Sequence, residues 1–304
     1  MQILLRILIG TTVLLAGFTA AHGQKKPEQT IPFRLTAYNN LVIPAFLNGQ
    51  DTVRLMLHTA ASDITITEEA ARRMKSLRFD GQVDSVQSWG GSANTADFSK
   101  HNQLRIGKLL LKDLMVWKNQ QSGQETDGKG GLNLFEGQVV AIDFDKKHLK
   151  TSARLPPKLK GYQKFRLETQ DDMLFLRAVC AIGSDSVEHR FLIHTGYGGA
   201  VLLDDDFAKT HQLGQRIPIT GEKKLSDAYG NVLTTKKGVL TSFSIGNFVL
   251  EKVPVGFFEG AIGRQSISVL GSDVLKRFNW IIDAERTYIY LKPNGLYHTG
   301  YSAS

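Results

Sequence analysis

Two histidines occupy matching places in this chain of 304 residues, each closing an apolar run and preceding a threonine. Arg54-Leu-Met-Leu-His58-Thr59-Ala60 recurs 136 residues later as Arg190-Phe-Leu-Ile-His194-Thr195-Gly196. Imidazole ionises at about pH 6.5, so it gives and takes protons at neutral pH, and its neutral ring can ligate a metal. If the fold brings the two rings together, three chemistries open. The rings could be hydrogen-bonding groups in a cleft, they could hold a zinc ion, or one could act as base toward the hydroxyl of Ser62. Zinc would find two ligands here, one short of the usual catalytic three, and the sequence shows no third. The Ser62 pairing lacks a visible oxyanion arrangement.

The elements that must position these residues read as β-strands. Short runs rich in Val, Ile, Leu and Phe are separated by turn dipeptides such as Asn48-Gly49, Asp80-Gly81, Asp127-Gly128 and Asn294-Gly295. Helical pattern is confined to Glu68–Met74 and Asp204–Lys209. The histidine motif is one of several repeated pairs. Leu104-Arg-Ile106-Gly107 returns as Phe243-Ser-Ile245-Gly246 at an offset of 139, and Trp89-Gly90 returns as Tyr229-Gly230 at 140. Gly131-Leu-Asn-Leu with Ile142-Asp143 returns as Gly271-Ser-Asp-Val with Ile282-Asp283, also at 140. Four matches in the same order describe an internal duplication of a β unit of domain size. The expected organisation is a lobe at 31–155, a basic, proline-bearing linker at 156–161 and a second lobe at 162–295.

Composition removes several classes. With 42% hydrophobic and 22% charged residues, the chain can build a sizeable core, and one cysteine excludes a disulfide scaffold. The net charge of +8 is scattered, without a basic run interleaved by aromatics, so no nucleic-acid partner is expected. Residues 1–23, with Arg6, an apolar run from Ile7 to Phe18 and small residues at Thr19, Ala20, Ala21 and Gly23, read as a signal peptide. The expectation is an exported protein, periplasmic or extracellular, with no transmembrane segment after signal removal.

The repeated unit resembles the retropepsin-like and pepsin-like aspartic proteases, and more narrowly their secreted bacterial two-lobed branch. The resemblance runs from about Ile31 to Asn294 and is most specific at Phe191–Gly199 and at Leu270–Asn279 with Ile282-Asp283. It implies an all-β, bilobal fold of tandem duplicated β-barrel lobes with a central cleft that takes an extended peptide or protein segment. It also implies that His58 and His194 stand where the family keeps its two catalytic aspartates, and Ala60 where it keeps a glycine. Thr59 and Thr195 would cross-bond the two turns, Gly196 is retained, and Ser62 matches a hydroxyl that supports the first catalytic group. Trp89 and Gly90 fall in the region of the flap that closes over bound peptide, with Tyr229 as the counterpart in the second half.

The aspartic mechanism needs two carboxyls so close that they share a proton. An imidazole offers at most one acceptor and removes the negative charge that holds the nucleophilic water. The expected function is therefore a pseudoprotease that binds peptide in the cleft, with no cofactor. A peptide hydrolase with a re-tooled His58/His194 centre, with or without zinc, is the alternative. Other signals read as structural. Gly123-Gln-Glu-Thr-Asp-Gly128-Lys129 begins like a phosphate-binding loop but lacks its Ser or Thr, and reads as a flexible loop. His101, His148, His189, His211 and His298 read as surface residues, Asp143 and Asp283 as turn formers, and Cys180 as a buried small hydrophobe.

Overall fold

The computed structural model describes residues 26–88, 91–226, 232–258 and 266–302. Residues 1–23, expected to be a signal peptide, lie outside these residues, as do Trp89, Gly90 and Tyr229. Within them the chain folds into three β-sheets with four short α-helices and one 3-10 turn. The two predicted helices form, at Glu68–Arg73 and Asp205–Thr210. Each starts on a side-chain cap: Thr67 accepts from the Ala70 amide, and Asp204 accepts from the Phe207 amide.

The first lobe is an eight-stranded sheet. Its order is Arg34–Leu35, Leu41–Leu47, Asp51–Leu57, Gly128–Gly130, Ile64–Thr67, Leu109–Asn119, Gly91–Ile106 and Gly81–Ser88. Pairing of Phe46 with Arg105 and Leu47 with Leu104 curls the sheet back on itself. The second lobe repeats this order strand for strand, from Glu168–Gln170 through Met173–Ile182, Asp185–His194, Val269–Gly271, Val201–Leu203, Phe248–Phe257 and Val232–Ile245 to Ile219–Ser226. It closes likewise, through Cys180 opposite Phe243. The fold is the all-β, two-lobed arrangement expected from the duplication.

Local chemistry explains the registers. Asn48 and Gly49 sit at φ 49° and 68°, the left-handed pair that a tight hairpin requires between Leu41–Leu47 and Asp51–Leu57. Asp51–Leu57 buries Val53, Leu55, Met56 and Leu57, and Phe191, Leu192 and Ile193 do the same before His194. Of these, Val53, Leu55, Leu57, Phe191 and Ile193 pack into one apolar core that runs through both lobes.

The third sheet joins the lobes. Val139–Asp143 pairs antiparallel with Phe278–Ile282, placing Val140 opposite Ile282 and Ile142 opposite Trp280. Three strands from each half complete its six. Asp143 ends its strand and Asp283 follows the other, accepting from the Thr287 and Tyr288 amides to shape its turn. Nearby, the fully buried Arg277 holds the C-terminal segment. Its guanidinium donates to the carbonyls of Tyr297 and Thr299 and stacks 3.9 Å from the Tyr301 ring. No helix among the described residues is long and apolar enough to cross a membrane.

Candidate functional site

The two histidine turns meet where the lobes meet. The strand Asp51–Leu57 runs parallel to Gly128–Gly130, and the His58 amide donates to the Gly130 carbonyl at 2.9 Å. In the second lobe His194 lies in register with Gly271 of the equivalent parallel pair. Thr59 and Thr195, both almost wholly buried, then lock one turn to the other. Thr59 Oγ1 donates to the Ile193 carbonyl (2.5 Å) and accepts from the Thr195 amide (3.0 Å). Thr195 Oγ1 donates to the Leu57 carbonyl (2.6 Å) and accepts from the Thr59 amide (3.0 Å). Each hydroxyl thus satisfies one donor and one acceptor of the opposite lobe, groups that burial would otherwise leave unpaired.

This grip brings the imidazoles together, with ring centroids 4.4 Å apart and planes tilted by 60°. Gly196 makes room for the contact, since a Cβ there would stand 2.2 Å from His58 Cδ2. Ala60 holds the corresponding place in the first lobe. The Nδ1 atoms of both rings are buried without a hydrogen-bond partner. Burial is the main reason that the pair resists protonation. It carries His58 well below the usual histidine range, with the neighbouring His194 and Lys129 pushing the same way. Burial and then Lys129 lower His194 to about 4. Both rings are neutral at neutral pH. Each then offers one N–H donor and one lone pair.

Lys129 was hidden in the sequence by the phosphate-loop-like run around it. Only Gly123–Thr126 of that run is a turn; Gly128–Gly130 is a strand paired on both sides, which corrects the flexible-loop expectation. Asp127 anchors its start. Burial raises this carboxyl, but hydrogen bonds from the Arg54 side chain and amide and from Arg73 outweigh it and hold the group below the usual carboxylate range. The offset of 140 that pairs Gly131 with Gly271 also pairs Lys129 with Val269, and was the signal that could have exposed it.

Other expected residues fall differently. Ser62 is exposed and its hydroxyl bonds Asp63 at 3.1 Å, so neither imidazole reaches it and a Ser–His pair is not assembled. The flap residues Trp89, Gly90 and Tyr229 are outside the described residues. Among the described residues no group of three His, Cys, Asp or Glu stands together, so the histidine pair gains no third protein ligand there. His189 is not a plain surface residue. Its Nε2 meets Asp204 at 2.9 Å, and its ring packs 4.6 Å from Phe207, which caps the lobe beside the Asp204–Ser268 bond. Cys180 is fully buried in its strand, and burial raises its thiol to about 12. Tyr197, after the second turn, packs with Leu202, Phe258 and Val269 and went unnoticed in the sequence.

The geometry has parallels among known proteins. Among solved structures, the fold is similar to that of the aspartic proteinase from Irpex lacteus, with a TM-score of 0.59 at 14% identity over 91% of this chain and 100% of that one. No curated protein matches the sequence. A family model described as aspartyl protease matches residues 43–132 and 179–274. These two blocks, more than half of the chain, contain both histidine turns, both gripping threonines and the strands that flank them, and the chain belongs to the aspartyl protease family.

Proposed function

We propose that this is an exported pseudoprotease that binds an extended peptide or protein segment in the cleft between its lobes. One observation carries the reading: the threonine grip is complete, yet the groups it presents are two neutral imidazoles. On the resemblance, His58 and His194 take the places of the catalytic aspartates. A carboxyl pair would share one proton, one member acting as base toward water while the other donates to the substrate carbonyl. The imidazole pair has no anionic member to hold and polarise that water. It retains hydrogen-bonding capacity, and strand-like pairing along the cleft edges would supply affinity for extended chains.

The test is to incubate the mature protein with short acetylated peptides of randomised sequence from acid to neutral pH, and to follow both retention and cleavage by mass spectrometry. Retention without cleavage is the expected outcome. Cleavage that disappears in His58→Ala would overturn the reading in favour of a histidine-based hydrolase. Export rests on residues 1–23, and N-terminal sequencing of the mature protein should begin after Ala21 or Gly23.

A further inference from the structure

Three places beyond the two histidines the lobes carry different side chains, and only one is a ring. The amides of Ala61 and Tyr197 donate to the carbonyls of His58 and His194, at 3.0 and 3.2 Å, so the two residues hold the same place in their turns. Ala61 ends in a methyl. Tyr197 lies against buried Leu202, Phe258 and Val269, and Leu225 of the hairpin strand Ile219–Ser226 packs on the same cluster. Glycines leave the space for the ring. A Cβ at Gly199 would stand 2.6 Å from its Cζ, and one at Gly271 would stand 2.5 Å from its Cδ1. Gly256, opposite Leu202, would bring a Cβ to 3.5 Å from the phenol oxygen. In the first lobe the matching position, opposite Thr65, holds Trp117, whose ring meets Phe98 edge-on. The second-lobe slot is flanked by the hairpin that supplies Leu225 and by the turn that carries His194. It is not sealed, since Tyr197 is partly exposed.

We infer that Tyr197 is a specificity-determining plug: it fills a slot of the second lobe shaped for an aromatic side chain, and so bars such a residue of the bound peptide from that place. The inference rests on the peptide-binding reading above. The slot suits a planar ring, because glycines line it at Gly199, Gly256 and Gly271 and apolar side chains supply the remaining contact. A phenyl or phenol group from a peptide would make the contacts that the chain now makes with its own ring. Truncating Tyr197 leaves an apolar gap of ring size, and such gaps relax only in part, stay dry and accept aromatic guests.

The test compares the wild type with Tyr197→Ala and Tyr197→Phe, each checked for folding by thermal melting, with Tyr197→Val replacing the alanine variant if that one melts below the assay temperature. The first probe is p-cresol, the tyrosine side chain on its own. In excess it should raise the melting temperature of Tyr197→Ala and leave the wild type and Tyr197→Phe unchanged. The second probe is the same set of randomised peptides. Those retained by Tyr197→Ala should be enriched in Phe and Tyr about tenfold over those retained by the wild type, the scale of burying part of one aromatic side chain, and Tyr197→Phe should match the wild type. No stabilisation by p-cresol means that the slot collapses, which overturns the inference. Stabilisation by p-cresol with an unchanged peptide preference makes the slot part of the core, which overturns the inference but leaves peptide binding standing. No retention of any peptide by any of the proteins overturns both.

Discussion

The two lobes are built on one strand order, yet they agree and differ in a pattern. Thr59 and Thr195 are the same residue making the same bonds. His58 and His194 are also alike. Beside them Ala60 is the counterpart of Gly196, and Lys129 with Thr65 the counterpart of Val269 with Leu202. The two threonines that lock one turn to the other have kept their symmetry, because each completes the other lobe's backbone bonds. The strand positions beside the histidine turns, Lys129 with Thr65 in one lobe and Val269 with Leu202 in the other, have lost it.

Breaking the symmetric part should have the largest effect. Thr59→Val together with Thr195→Val leaves two amides and two carbonyls buried without partners, for a loss on the order of 5 kcal/mol in urea unfolding. The single variants should be non-additive, since each hydroxyl supports the other. Acid comes next. Both imidazoles titrate below the unfolded value of about 6.5, so as pH falls from there the unfolded chain binds protons that the folded chain refuses. Stability should therefore fall until the folded value is reached, about 4 for His194. The total loss should be on the order of a few kcal/mol. His58→Gln with His194→Gln should flatten that part of the pH profile.

Exchanging the asymmetric positions sharpens the comparison further. Val269→Lys buries an ammonium in the apolar cluster and should cost roughly 3 kcal/mol, whereas Lys129→Val should shift stability by less than about 1 kcal/mol. The smallest pair concerns the turns. Gly196→Ala drives a methyl into the His58 ring and should cost about 1–2 kcal/mol with a changed His58 environment. Ala60→Gly should cost about half a kcal/mol or less. Equal effects at the two positions would contradict the assigned packing of His58 over Gly196.

Much of this was legible in the sequence because it is local or repeated. Turn dipeptides, apolar runs, two short helical stretches and the offsets near 140 gave the strands, the lobes and the histidine turns. What escaped was set by long-range pairing. Nothing in Val139–Asp143 announces that it will pair with Phe278–Ile282 across the molecule, so the shared sheet was not foreseen. Ser62 has the right type and spacing to meet His58, but its backbone turns the hydroxyl toward Asp63. His189 sits among polar neighbours in sequence, while the fold packs it against Phe191 and Phe207. Lys129 was obscured by a motif that its strand pairing does not form.

The most direct test is to restore carboxyls to the frame: His58→Asp, His194→Asp and Ala60→Gly in one chain, assayed on the randomised peptides across acid pH. If the frame is complete and only its chemical groups have changed, the triple variant should cleave peptides with an acid optimum while the wild type does not. A triple variant that folds and melts like the wild type but cleaves nothing would contradict that claim.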